Sequence, residues 1–218
     1  MTEPASMPAQ PDHAPRRRAR YRPAAGLLGL AVFAAVGCGS DTEAAPDLNA
    51  GPGGVRWQAY HGVQLPRTDQ GPESEADGAA TGFAHTPAGA AVAAITHTVR
   101  MSVAPDNQWA KVIAKEVVPG PARDEWSVNR VQLSITGPAA PEYAPRLLGY
   151  KITEYTPQRS AVDIYTEYSD ASKAVNHTTV EWYLDDWRLR LPDPGSTARP
   201  IDAITELPSD LVELEGPK

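Results

Sequence analysis

Few side chains in this sequence could do acid–base chemistry, and they are scattered. Asp163, Glu167 and Glu181 alternate with apolar residues on expected strands. A carboxylate enclosed in a pocket can act as a proton-transfer base, because burial raises its pKa. A solvated strand face explains the same alternation and is the expectation here. Of the five histidines, His13, His61, His85, His97 and His177, no two stand at metal-ligand spacing. There is no HExxH run, and Cys38 has no second cysteine with which to share a zinc ion. Neither a metal nor a cofactor is expected. His97 lies on an expected helix, roughly 140° round from Val92 at 100° per residue, and should face solvent. His85 reads as a turn residue just before that helix. No Gly-x-Ser-x-Gly elbow and no phosphate or dinucleotide loop occurs. Gly51-Pro52-Gly53-Gly54 lacks the Lys-Ser/Thr and the helix that such a loop needs. These absences point away from an enzyme. Tyr165 and Tyr183, on the outer side of their strands, are candidates for a protein-contact patch.

Arg16-Arg17-Arg18-Ala19-Arg20-Tyr21-Arg22 runs into the apolar Ala24–Val36 and stops at Gly37-Cys38-Gly39-Ser40. A basic region, a short apolar helix and small residues at its end make an export signal. Ala35-Val36-Gly37-Cys38 resembles the lipobox of bacterial lipoproteins, although Ala35 stands where that motif usually has Leu. The resemblance implies that Cys38 becomes the first mature residue and carries acyl groups, so membrane lipid is one expected partner. The alternative is an uncleaved anchor over Ala24–Ser40. As a helix, Ala24–Cys38 spans roughly 22 Å, short of the roughly 30 Å hydrocarbon core. Either way the arginines favour the cytoplasmic side and the remainder is extracytoplasmic.

The whole chain has 218 residues and a net charge of −7. Removing residues 1–37 takes away five of its 20 basic and two of its 27 acidic residues, leaving −10. So acidic a surface argues against nucleic acid and against electrostatic adhesion to anionic lipid. A single cysteine rules out an intramolecular disulfide, so apolar burial must hold the fold. Residues 1–37 read as signal or anchor and 38–54 as a flexible tether with an r.m.s. reach of roughly 20–24 Å. Residues 55–191 read as one domain, and 192–218 as a Pro-rich acidic tail whose patch Ile201–Leu207 could pack back.

Val55–Pro66 reads as one short strand and Arg67–Thr81 as a polar loop. Thr86-Pro87 is an N-cap with proline at the first helical position. Ala88, Val92, Ile95, Val99 and Val103 then form a narrow helical stripe. Ala104-Pro105-Asp106 should break that helix and cap a second, whose broad face carries Trp109, Val112, Ile113, Glu116 and Val117. A third, shorter helix is expected over Asp124–Leu133, and Val131–Gly137 could be a strand or a connector. Beyond Pro145 the period becomes two: Leu148, Tyr150, Ile152; then Val162, Ile164, Thr166, Tyr168; then Thr178, Val180, Trp182, Leu184; then Trp187, Leu189, Leu191. A hairpin with Asp185-Asp186 as its two-residue loop joins the last two strands.

Helices followed by antiparallel strands give α+β, with the helices packed on one face of a curved sheet. This order resembles the nuclear-transport-factor-two-like (cystatin-like) cone, in which a long helix lies across a bent sheet and encloses a pocket. Gly82-Phe83-Ala84-His85-Thr86-Pro87-Ala88-Gly89-Ala90 and Glu181-Trp182-Tyr183-Leu184-Asp185-Asp186-Trp187-Arg188-Leu189 resemble the GFAHTPxGA and W…DGDWRL segments of an actinobacterial family of unknown function. Its members are exported, lipid- or helix-anchored proteins often associated with conjugative elements. The resemblance implies an accessory role near a conjugative channel and supplies no catalytic residues. The expected function is a non-enzymatic, membrane-tethered scaffold whose sheet face docks an envelope protein. The alternative is a cone pocket that binds or transforms a small apolar ligand.

Overall fold

The computed structural model describes residues 45–214 and 216–217. Two strands, β1 (Arg56–Tyr60) and β2 (Val63–Arg67), form a separate antiparallel hairpin. The single strand expected over Val55–Pro66 is therefore two. His61 and Gly62 both take positive φ and turn the chain between them, and the pleat does not survive that reversal. The following segment includes one 3-10 turn at Ala76–Gly78.

The first helix, α1 (Pro87–Val103), starts where Thr86-Pro87 predicts: the Thr86 hydroxyl accepts from the Gly89 amide at 3.1 Å. Helix α2 (Trp109–Glu116) buries Val112, Ile113 and Glu116, as its pattern predicts. Asp106 does not cap it. Its carboxylate instead accepts from Ile135 N, Ser134 Oγ and Arg130, which ties the 131–137 connector to the start of α2. Pro121 opens α3 (Pro121–Arg130), three residues earlier than expected. Proline suits a first helical turn, where its missing N–H has no partner to lose.

Strands β3 (Arg146–Thr156), β4 (Arg159–Glu167), β5 (Lys173–Trp182) and β6 (Trp187–Arg190) form an antiparallel meander. The tail adds β7 (Ile201–Ile204), which pairs with β5 beyond the end of β6, and β8 (Val212–Glu213), which pairs with β3. Among the described residues the fold is α+β, with a mainly antiparallel sheet and three α-helices. Helix α1 lies against β2 to β6 and α2. Val162, Ile164, Val180 and Leu189 face it in the main core around the fully buried Trp187.

Two register expectations change. A bulge between Leu147 and Gly149 puts Leu147 in the main core with Tyr150 and Ile152. It sends Leu148 to the outer face, where it meets Tyr165 and Val175. One extra residue inverts the alternation that follows it. In the last hairpin, Tyr183 N donates to Asp186 O at 2.8 Å, and Leu184 and Asp185 have φ of 52° and 60°. The two-residue turn is thus Leu184-Asp185, one position earlier than Asp185-Asp186. Asp186 is drawn into the fold as an acceptor, described below, and this moves the turn.

Candidate functional site

The two segments Gly82–Ala90 and Glu181–Leu189 meet. The buried Asp186 carboxylate accepts from the amides of Gly82, Phe83 and Trp187 at 2.9–3.0 Å. Trp187 Nε1 donates to Ala84 O at 3.1 Å, and His85 stacks on Trp182 with ring centroids 3.8 Å apart. His85 is the exposed turn residue expected, held by aromatic stacking. Together these contacts clamp the start of α1 to the β5–β6 hairpin. These contacts tie the two segments to each other.

Behind the clamp lies a buried ionic cluster. Glu116 from α2 is 0% exposed, and His97 and Arg100 from α1 are 1% and 2% exposed. Glu116 Oε1 accepts from Arg100 Nε at 2.9 Å and from Ala80 N at 2.8 Å. Its Oε2 lies 2.8 Å from His97 Nδ1, while His97 Nε2 lies 2.9 Å from the Trp187 carbonyl. The imidazole is thus held at both ring nitrogens. Arg100 also donates to Gly78 O and Glu75 and sits 4.1 Å above the Tyr60 ring. Burial, more than the nearby charges, raises the Tyr60 pKa. Thus His97 does not face solvent. Helix α1 is covered from Gly89 through His97, because α2 and β6 pack on it as well as the sheet. A stripe argument assumes one covered face. The readable signal was Glu116, an acid on an otherwise apolar helix face, which calls for a buried counter-ion.

An apolar open site lies elsewhere, apart from a more polar surface hollow of about 400 Å³ bordered by Asp163 and His177. A cavity of about 270 Å³ separates the C-terminal half of α1 from the sheet. Ile95, Val99 and Val103 form one wall, and Leu147, Ile164 and Thr166 form the other. The alternation of β4 and the spacing on α1 place these side chains face to face. The Thr166 hydroxyl is buried with no hydrogen-bond partner among the described residues. Deeper in the core, burial pushes Tyr150 up to about 12.

The three strand carboxylates do not line this cavity. Asp163 lies 2.7 Å from His177 Nδ1, Glu167 pairs with Arg146 at 2.6 Å, and Glu181 faces Arg190 at 3.7 Å. Arg146 holds Glu167 below the usual carboxylate range. These acids occupy the outer strand face, as expected. Tyr165 is only 7% exposed, covered by Ile204 and Leu211 of the tail. It offers no open surface, which corrects its reading as part of a contact patch. Tyr183 is 37% exposed at the hairpin, with the Arg188 guanidinium 5.1 Å from its ring. Cys38, His13 and the Ala24–Ser40 segment lie outside the described residues. No described helix is long and apolar enough to cross a membrane, and among the described residues no group of three His, Cys, Asp or Glu is arranged to hold a metal ion.

A family model, a domain of unknown function (DUF8175), matches residues 30–209. No curated protein and no solved structure matches the chain.

Proposed function

From the premise that the chain belongs to this DUF8175 family, we propose that it is a non-enzymatic binding domain tethered on the outer side of the cytoplasmic membrane. Its site is the apolar cavity between α1 and the sheet. That cavity, of about 270 Å³, is the observation that carries the reading. A long helix laid over an antiparallel sheet with an apolar space between them is the arrangement of the nuclear-transport-factor-two-like cone, and we read the fold as such. The buried acid, Glu116, is enclosed by its partners and away from the cavity lining. This favours binding over proton transfer. Acylation of Cys38 anchors the domain in lipid, and the chain between Cys38 and Leu48 sets its distance. The tether is shorter than the expected 38–54, because Leu48 packs on the main core and Gly53 hydrogen-bonds Asp69 N and Gln70. Several acyl chains hold a protein at a membrane stably where one does not.

The tether is tested by the intact mass of full-length protein from the membrane fraction, beside Cys38→Ala. The expected result is a chain beginning at Cys38 with acyl mass, lost in the variant. An unprocessed chain in both would replace the lipid by a membrane span at Ala24–Ser40.

A second reading is a scaffold that docks an envelope protein, as an accessory to conjugative transfer. The exposed Tyr183 and Leu184 at the tip of the β5–β6 hairpin favour it. Aromatic side chains at a protruding turn are effective anchors for a protein partner. With Tyr165 covered, the hairpin tip takes the place of the sheet face in that reading.

A further inference from the structure

We infer that the cavity between α1 and the sheet selects an uncharged, mainly aliphatic molecule with one oxygen function. This inference rests on the binding reading above and names its ligand class. Three observations point to it.

The first is charge. No Asp, Glu, Lys, Arg or His lines the cavity. A carboxylate or ammonium drawn inside would lose its hydration without gaining a counter-ion, a large penalty in an apolar surround. The chain has charges in abundance, yet the ionic cluster and the outer-face pairs are spent elsewhere. A neutral ligand is what these walls can hold.

The second is the polar inventory. Gln64, Thr98, Ser102, Thr166, Tyr168 and Asn176 supply uncharged donors and acceptors around walls of Val, Ile and Leu. Ser102 Oγ is already committed to the Thr98 carbonyl at 2.8 Å. The hydroxyls of Thr98 and Thr166 are both buried and unpartnered among the described residues, and Thr166 is more than nine-tenths buried. A buried hydroxyl left unpaired is costly, and a hydroxyl can both donate and accept. A ligand hydroxyl or carbonyl oxygen between the two walls answers that need; a pure hydrocarbon does not.

The third is size and access. At roughly 30 Å³ for each water-sized group, the volume accommodates a chain of about nine heavy atoms. Tyr143 and Ile201, both exposed, stand at its edge. Ile201 belongs to β7, so the tail strand borders the way in.

The test uses full-length protein in membranes with four photoreactive six-carbon probes that differ only at one end: alcohol, alkane, carboxylic acid and amine. After irradiation, labelled peptides are mapped by mass spectrometry. The alcohol is expected to mark α1 and β4 peptides about tenfold more than the acid or the amine. Thr166→Val removes the hydroxyl at nearly constant shape and should bring alcohol labelling down to that of the alkane, with alkane labelling unchanged. Val99→Trp, which fills the cavity from its half-buried wall, should abolish labelling by both. Thermal unfolding of each purified variant confirms that the fold is retained. Acid or amine labelling equal to the alcohol, or no response to Thr166→Val, overturns the ligand class while the cavity reading stands. Absence of α1 and β4 labelling by every probe overturns both.

Discussion

Glu116 shows how one side chain can organise a core without performing chemistry. It holds a guanidinium and an imidazole from α1 and a backbone amide from the segment before it, all away from water. The attraction within such a group is largely offset by desolvation, so its net stabilisation is small, but removing one member leaves the others stranded. Glu116→Ala is therefore expected to cost about 3–5 kcal/mol in urea unfolding, because Arg100 Nε, His97 and the Ala80 amide all lose their buried acceptor. Glu116→Gln, which keeps the shape and an oxygen acceptor, should lose less. A Glu116→Gln loss near zero would show that charge pairing contributes nothing beyond packing, whereas a loss equal to that of Glu116→Ala would assign the whole cost to the charge. His97 was legible as a helical residue but not as a buried one. Its surroundings come from α2 and β6, which no spacing within α1 encodes.

At the scale of elements, local sequence rules were reliable at helix starts and less so at turns. Thr86-Pro87 sets the start of α1 because both effects act within four residues. The β5–β6 turn was misplaced by one residue because Asp-Asp looks like the better turn pair than Leu-Asp. The structure accepts Leu184 and Asp185 at positive φ, where an L-residue costs roughly 1–2 kcal/mol. In exchange it keeps Asp186 on the amides of Gly82 and Phe83. Replacing Leu184→Asn and Asp185→Gly together should leave the clamp intact and suit the left-handed pair. The double variant is expected to gain about 1 kcal/mol in stability, read as a higher thermal midpoint. A fall in the midpoint would place the turn elsewhere.

For the whole molecule, the tail is part of the sheet and covers a face that would otherwise be apolar. Strand β7 pairs with β5, Leu211 packs with Ile204 over Leu148, Tyr165 and Val175, and Lys151 reaches Asp210 at 2.9 Å. His177 joins this fastening. Its Nδ1 faces Asp163 of β4 at 2.7 Å, and its Nε2 faces Asp202 of β7 at 3.4 Å, beside Arg199. The hydrogen bond to Asp163 raises the His177 pKa above its ordinary 6.5, against a smaller opposing effect of burial. A raised folded pKa gives stability that is fully present below the unfolded value and lost as pH rises through the folded one. The thermal midpoint of wild type relative to His177→Gln should therefore shrink from pH 6 upward. The effect is small, because the imidazole is 41% exposed and screened by solvent. A difference that grows with pH would show that Asp163 and Asp202 do not hold the charged ring.

The sequence by itself determined the order and type of the main elements: the start of α1, the buried face of α2, and the alternation of β4 and of the inner side of β5. These depend on period, capping and proline, which act over a few neighbouring residues. Tertiary structure decided the rest. It split Val55–Pro66 into a hairpin, turned Leu148 outward through a bulge, and buried His97 and Tyr165. Each of those outcomes depends on residues far away in the chain: α2 and β6 around His97, the tail over Tyr165, Gly82 and Phe83 at Asp186. The cavity has the same origin, since the side chains that line it come from α1, β2 and the strands of the sheet. Periodicity shows which side of an element is apolar. Whether two such sides close on each other or leave space between them is set by how the helices, sheet and tail pack together.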